Sequence, residues 1–84
     1  MKYEVHIVLT AERELDKLSF QVYTRIRDKI LSLEENPRPA GAKKLTAREE
    51  YRLRVGDYRI LYTIDDSSHL VKVIKIGHRG EIYR

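Results

Sequence analysis

Three arginines between residues 52 and 59 have the spacing that brings cations together on one face of a β-sheet. Arg52 and Arg54 alternate with apolar neighbours, so both would lie on the polar face of a strand. The residues Gly56-Asp57 form a turn, and Arg59 then falls on the polar face of the next strand. If the two strands pair, three guanidinium groups lie side by side and repel one another. An anion would relieve that repulsion, so the spacing predicts an anion-binding surface.

The distribution of charge agrees with an anionic ligand. The net charge is +4, and residues 1–42 hold seven basic and seven acidic side chains, whereas residues 43–84 hold ten basic and six acidic ones. A locally basic surface attracts phosphate and speeds association with nucleic acid. A solvated charged surface would also explain these totals. The spacing of the arginines is the observation that favours a ligand.

The motifs of several other chemistries are missing from the sequence. There is no cysteine, which excludes disulfides and thiolate chemistry. The histidines, His6, His69 and His78, do not have the spacing of metal ligands, so no metal site is predicted. The four glycines are dispersed and form no phosphate-binding loop. We therefore expect a function that needs no cofactor.

Length and composition predict a single small domain over residues 1–84. The N-terminus lacks the apolar stretch of a signal peptide, and no segment approaches the ~20 apolar residues of a membrane helix. We expect a soluble cytoplasmic protein with no membrane partner.

The N-terminal half carries the signals of one strand and two helices. Alternating apolar residues predict a strand over residues 3–9. Thr10 is predicted to cap a short helix, and Ser19 a longer one. The longer helix ends before Pro37, because the residue that precedes a proline avoids helical angles. Its apolar positions have helical spacing: Val22, Ile26, Ile30 and Leu33.

The C-terminal half carries the signals of a sheet. Strands are predicted over residues 51–55 and 58–64, joined by a two-residue hairpin turn. A further strand over residues 70–76 is almost continuously apolar, as is typical of a central strand. The order β-α-α-β-β-β indicates an α+β fold, in which a helical hairpin packs on one face of a small, mainly antiparallel sheet of four to five strands. The three arginines would then lie on the open face.

Short motifs in this order suggest a family. They are Asn36-Pro37-Arg38, Lys43-Lys44-Leu45, Tyr51-Arg52-Leu53-Arg54, Gly56-Asp57-Tyr58-Arg59, and Gly77-His78-Arg79 with Tyr83. With them, over nearly its full length, the chain resembles the RelE/ParE superfamily of type II toxin–antitoxin toxins, and within it the RelE-like mRNA interferases.

The resemblance implies a function and a set of site residues. RelE-like toxins cut messenger RNA in the ribosomal A site by attack of a 2′-hydroxyl on the adjacent phosphate, and a cognate antitoxin blocks them. Contacts with 16S ribosomal RNA are expected as well. By position, the resemblance implies catalytic roles for Arg54, Arg59, Arg79 and Tyr83. It implies an RNA-binding role for Arg52. Three further basic residues, Lys43, Lys44 and Arg48, precede the arginine strand and are predicted to bind RNA.

The identity of the proton acceptor stays open at this point. Some RelE members have lysines where this chain has Arg52 and Arg54, and a crowded lysine can act as a base, whereas arginine stays protonated. In one route the arginine cluster lowers the effective pKa of the 2′-hydroxyl. Alternatively His78 or Glu81 accepts the proton, or ribosomal RNA or water does.

Other interpretations of the same residues compete with these. Arg59 could form an ion pair with Asp57 or Asp66, and Tyr83 could pack against the sheet. At the level of function, a ParE-like inhibitor of DNA gyrase would share the fold, and a non-catalytic module could use the basic sheet only to bind nucleic acid or antitoxin. The full set of basic residues with the tyrosine favours the mRNA interferase.

Overall fold

Two helices and five strands make up the protein in a computed structural model that describes residues 2–45 and 49–78. In chain order they are β1 (Glu4–Ile7), α1 (Leu9–Asp16), α2 (Phe20–Ser32), β2 (Ala42–Lys44), β3 (Tyr51–Val55), β4 (Tyr58–Asp65) and β5 (Leu70–His78). The predicted α+β fold is confirmed. The short strand β2 lies in a segment that the sequence analysis did not assign to a strand.

The five strands form one mixed sheet in the order β1-β5-β4-β3-β2. The β1–β5 pair is parallel and the other three pairs are antiparallel. The apolar strand β5 lies between β1 and β4, so its predicted interior position is confirmed. At the β3–β4 turn, Gly56 has φ 59°, and Val55 pairs with Tyr58. The predicted two-residue hairpin is therefore present.

The two helices begin in different ways. Ser19 caps α2 as predicted, and its side chain accepts a hydrogen bond from the backbone N–H of Val22 at 3.5 Å. The prediction for Thr10 is wrong, because α1 already begins at Leu9 and its N-cap position is Val8, which makes no side-chain cap. Neither helix of the described segments is long and apolar enough to cross a membrane.

Both helices pack on the same face of the sheet and bury one apolar cluster. Its buried members are Ala11, Leu15, Ile26, Ile30, Leu33, Leu53, Val55, Ile60, Tyr62, Val71, Val73 and Ile76. The hydroxyl of Tyr62 donates a 2.8 Å hydrogen bond to the carbonyl of Pro37, which satisfies the one polar atom of this side chain within the core. Burial raises the pKa of Tyr62 to about 12. The opposite face of the sheet carries no helix from the described part of the chain.

One cluster of polar side chains ties the loop after α2 to the β4–β5 turn. The Arg38 guanidinium donates to both carboxylate oxygens of Asp66, at 3.2 and 2.9 Å, and its Nε donates to the hydroxyl of Tyr51 at 3.1 Å. The hydroxyl of Tyr3 donates to the same carboxylate at 2.6 Å. The hydrogen bonds from Arg38, and to a smaller extent the one from Tyr3, lower the pKa of the Asp66 carboxyl from 3.8 to about 2. Asp66 therefore pairs with Arg38 and not with Arg59.

The lowered pKa of Asp66 predicts how stability depends on pH. The stabilisation is fully present above about pH 4 and is lost as the pH falls through about 2, because the carboxylate is then protonated. We expect Asp66→Asn to have a lower unfolding midpoint than the wild type near neutral pH, and the gap to narrow between pH 4 and 2. Thermal unfolding across this range measures the gap. The control is Asp16→Asn, which changes a carboxylate at the exposed end of α1. The difference between its unfolding midpoint and that of the wild type should not narrow between pH 4 and 2. A gap to Asp66→Asn that stays constant down to pH 2 would contradict the role of this ion pair.

Candidate nucleic-acid interface

The three arginines at strand spacing lie on one face of the sheet, the face opposite the helices. Arg54 and Arg59 are direct cross-strand partners, and Arg52 pairs with Leu61 on the same face. On the next strand, Lys43 is the partner of Arg52. The predicted alternation is thus confirmed. It brings four cations together across β2, β3 and β4, on an open surface that we call the arginine face: Lys43, Arg52, Arg54 and Arg59.

Arg59 is the most enclosed of these cations. Its exposed fraction is 9%, whereas Arg54 is exposed and Arg52 is half-buried. One of its guanidinium nitrogens, Nη1, donates a long hydrogen bond of 3.4 Å to the carbonyl of Tyr58. No carboxylate of residues 2–45 or 49–78 lies within ion-pair distance of Arg52, Arg54 or Arg59. A cation that is partly removed from water, and whose charge no nearby carboxylate balances, interacts strongly with an incoming anion.

Two further lysines share the open face, and sequence analysis did not single them out. Lys75 is the partner of Leu61, and Lys72 is the partner of Thr63. They lie three residues apart on one face because β5 has a bulge between Val73 and Lys75, where Ile74 has no partner on β4. Strict alternation would have placed them on opposite faces. The spacing of the apolar residues Val71, Val73 and Ile76 is the signal that could have shown this shift.

Lys44 is not brought together with the other cations. It pairs with Tyr51, which packs against the core, so it lies on the helix-bearing face. Its ammonium group is 3.5 Å from a carboxylate oxygen of Glu49. The predicted RNA-binding role of Lys44 therefore has no support from the geometry of the arginine face.

His78 also lies away from the arginines. It is the cross-strand partner of Tyr58, and the two rings make an edge-to-face contact with centroids 5.3 Å apart. Its neighbour Gly77 is the partner of Arg59. Since adjacent residues of a strand point to opposite faces, the His78 ring lies on the face opposite the Arg59 side chain. Arg48, Arg79, Glu81 and Tyr83 lie outside the described residues.

The remaining histidines and carboxylates form no metal-binding group in the part of the chain that the structure describes. His6, on β1, lies 2.9 Å from a carboxylate oxygen of Glu4. His69 occupies the β4–β5 turn with φ 51° and packs edge-on against Tyr3. The chemistry that the described site offers is therefore that of fixed positive charges on a rigid sheet.

Glu14 of α1 holds the strand that leads to the predicted C-terminal site residues. β1 pairs with β5 only from Leu70 to Val73. Beyond that point the outer edge of β5 lies against α1, and Glu14 Oε1 accepts a 3.0 Å hydrogen bond from the backbone N–H of Ile76. The carboxylate thus accepts a hydrogen bond of the kind that a neighbouring strand would accept, and it orders the backbone just before Gly77, which lies beside Arg59.

We expect Glu14→Ala to lower the free energy of unfolding by about 1–3 kcal/mol, since it leaves a buried N–H without its charged acceptor. Amide hydrogen exchange measured by NMR should show lost protection at Ile76. Glu14→Gln retains an acceptor oxygen and should retain much of the protection, and the exposed Glu12→Ala on the same helix should retain all of it. Wild-type exchange at Ile76 in Glu14→Ala would contradict the role of this contact.

Fold and site together define a class of small α+β proteins that carry a helical hairpin on one sheet face and cations on the other. Residues 5–83 match the family model described as the ParE toxin of the type II toxin–antitoxin system parDE. Toxin RelG of Mycobacterium tuberculosis is 34% identical, with 100% of this chain and 99% of that protein covered. Toxin RelE of the same organism is also 34% identical, covering 98% of this chain and 87% of that protein.

A solved structure agrees with these relatives. A chain of the toxin–antitoxin complex RelBE2 of M. tuberculosis matches with a TM-score of 0.84 at 29% identity, covering 94% of this chain and 100% of that one. The chain belongs to the RelE/ParE family of type II toxin–antitoxin toxins. The resemblance to the RelE/ParE superfamily, stated from the sequence motifs, is thereby confirmed.

Proposed function

We propose that this toxin is a ribosome-dependent endoribonuclease that cuts messenger RNA in the A site. The observation that carries the proposal is the cross-strand pair of Arg54 and Arg59, set among further cations on a sheet face without a covering helix from the described residues. A phosphate on this face would meet guanidinium groups held in place by the sheet. The 34% identity to the M. tuberculosis toxins RelG and RelE supports the same assignment.

The proposed reaction is a transesterification. The 2′-hydroxyl oxygen attacks the adjacent phosphorus, the bond to the 5′-oxygen breaks, and a 2′,3′-cyclic phosphate and a 5′-hydroxyl form. Negative charge builds up on the pentacoordinate phosphate, and one fixed cationic or hydrogen-bonding contact at such a centre contributes about 3–4 kcal/mol. In this proposal Arg54 and Arg59 stabilise that charge. Arg52 and Lys43 bind the neighbouring backbone. By the family resemblance, Arg79 acts at the leaving oxygen and Tyr83 orients the substrate.

The attacking hydroxyl must lose its proton, and arginine is a poor base because its guanidinium stays protonated. His78 lies on the other face of the sheet, against Tyr58. The proposed acceptors are therefore Glu81, a group of the ribosomal RNA, or water. With no arginine acting as a base, the ribosome has to align the hydroxyl with its phosphate. The free protein should consequently cut naked RNA poorly.

A cognate antitoxin is the proposed protein partner, because the similar M. tuberculosis chain was solved as part of a toxin–antitoxin complex. An antitoxin that covers the open face would be acidic there, and opposite charges across an interface speed association. Since the proposed substrate is messenger RNA on ribosomes, the proposed site of action is the cytoplasm.

The proposal is tested with purified protein and ribosomes programmed with a defined message. Primer extension should show cuts within the A-site codon, and the same RNA without ribosomes should remain nearly intact. The second candidate is a ParE-like activity, because the matching family model is described as the ParE toxin. Intact messages together with inhibited supercoiling by DNA gyrase would favour this activity. If neither effect is seen and the protein still binds RNA or antitoxin, it is a non-catalytic module.

A further inference from the structure

A cleft separates α2 from the β3–β4 hairpin. It encloses about 430 Å³, and three of its lining residues are cations: Arg25 and Lys29 from α2, and Arg54 from β3. Arg54 is also the cross-strand partner of Arg59. Arg54 therefore connects the cleft, on the helix-bearing side of the sheet, with the arginine face on the other side, at the part of β3 that runs past the end of β2.

Arg25 lies close against the hairpin. Two of its guanidinium nitrogens would be 3.5 and 3.8 Å from a side-chain carbon built on Gly56, whose φ of 59° suits glycine. The turn backbone thus forms one wall of the cleft, and the Arg25 guanidinium lies along that wall. The exposed Arg25 side chain thus reaches from α2 to the turn.

The charges around the cleft repel one another in the absence of a ligand. Arg25 and Lys29 are four residues apart on α2, so they lie on the same side of the helix, where like charges are unfavourable. Neither forms an ion pair with a carboxylate of residues 2–45 or 49–78. Asp28 also lines the cleft, and one of its carboxylate oxygens is 3.3 Å from the Arg27 guanidinium. An anion bound beside Arg25 and Lys29 would relieve this repulsion.

We propose that this cleft binds a phosphate of RNA, next to the phosphate that reacts on the arginine face. The inference rests on the proposed function and extends its RNA contacts onto α2. RNA is favoured over an acidic peptide because Arg54 belongs to both the cleft and the arginine face. A nucleic acid carries one negative charge on every nucleotide, so a single strand can bind to both places at once. The phosphate can belong to the message or to ribosomal RNA.

The experiment measures RNA binding, so that it does not depend on cleavage. The variant Arg25→Gln/Lys29→Gln is compared with the wild type for binding to a labelled single-stranded RNA and to ribosomes without message, over a range of salt. Removal of two phosphate contacts should reduce the slope of log affinity against log salt by about 1.4 on single-stranded RNA. The matched control is Arg27→Gln, which removes one charge from the same helix outside the cleft. The double variant Arg25→Lys/Lys29→Arg retains both charges and should retain the slope.

Each outcome decides the proposal. A smaller slope on the single-stranded RNA assigns the cleft to the message, and a smaller slope only on ribosomes assigns it to ribosomal RNA. Unchanged slopes on both RNAs would overturn the proposal, and weakened antitoxin binding alone would show a protein-docking surface instead. If the wild type binds RNA through these residues but never cleaves it, the proposed function fails and the cleft assignment stands. If the charge-retaining variant also loses the slope, lost structure rather than charge is the cause and the proposal fails.

Discussion

Replacing Arg59 with alanine is expected to lower the rate of single-turnover cleavage on the ribosome by about 10²–10³-fold, the usual cost of removing one contact to transition-state charge. The expectation follows from its surroundings. Arg59 is the most enclosed cation of the open face, with an exposed fraction of 9%, so its guanidinium is held in position before substrate arrives. It needs little reorganisation when charge develops on the phosphate. Growth inhibition on expression should be lost accordingly.

The controls separate catalysis from folding. Arg59 buries its aliphatic stem, so the alanine variant also loses packing, and its thermal unfolding has to be compared with that of the wild type. Arg59→Lys retains the charge and most of the stem and should be the more active of the two variants. Arg13→Ala removes an exposed arginine from α1, on the other side of the molecule, and should cleave normally. A folded Arg59→Ala that inhibits growth fully at equal expression would refute the role of this residue.

Arg54 is expected to show the second large effect, in a graded form. If Arg54 acts as a fixed charge and not as a base, Arg54→Lys should retain measurable activity, because the positive charge remains. It should lose part of the rate, because an ammonium is a point charge that cannot make the bidentate contact of a guanidinium with phosphate. Arg54→Ala should lose far more, again about 10²-fold or greater. Single-turnover cleavage at saturating toxin measures the series, with Arg13→Ala as the common control.

The dependence of the rate on pH then tests the proton acceptor. If Glu81 is the base, Glu81→Gln should slow cleavage and remove the limb of the pH–rate profile that belongs to the carboxylate. His78→Gln should leave the profile unchanged, because the His78 ring lies against Tyr58 on the other face. If neither variant alters the rate, ribosomal RNA or water takes the proton. An Arg54→Ala variant that cuts as fast as the wild type would exclude the arginine face as the site of reaction.

Local patterns in the sequence were sufficient for the order of the two helices and of four strands, though not for β2, and for the arginine face. Side chains on a strand alternate whatever surrounds the strand, so Arg52, Arg54 and Arg59 could be placed on one face once the Gly56-Asp57 turn was recognised. The Ser19 cap is equally local, because donor and acceptor are three residues apart. The prediction that Thr10 caps α1 was wrong because the helix begins at Leu9, and the preceding Val8 has no capping side chain.

Only the tertiary structure decided which residues far apart in the chain complete the site. The bulge in β5 follows from its pairing with β4, and it moves Lys75 to the arginine face. The Glu14 carboxylate meets the Ile76 amide across 62 positions of sequence, and Arg38 binds Asp66 across 28. The cleft beside Arg54 exists because α2 packs against the hairpin and brings Arg25 onto Gly56. Periodicity assigns each residue to a face, but it carries no information about which element will lie next to it, since that depends on how the whole core packs.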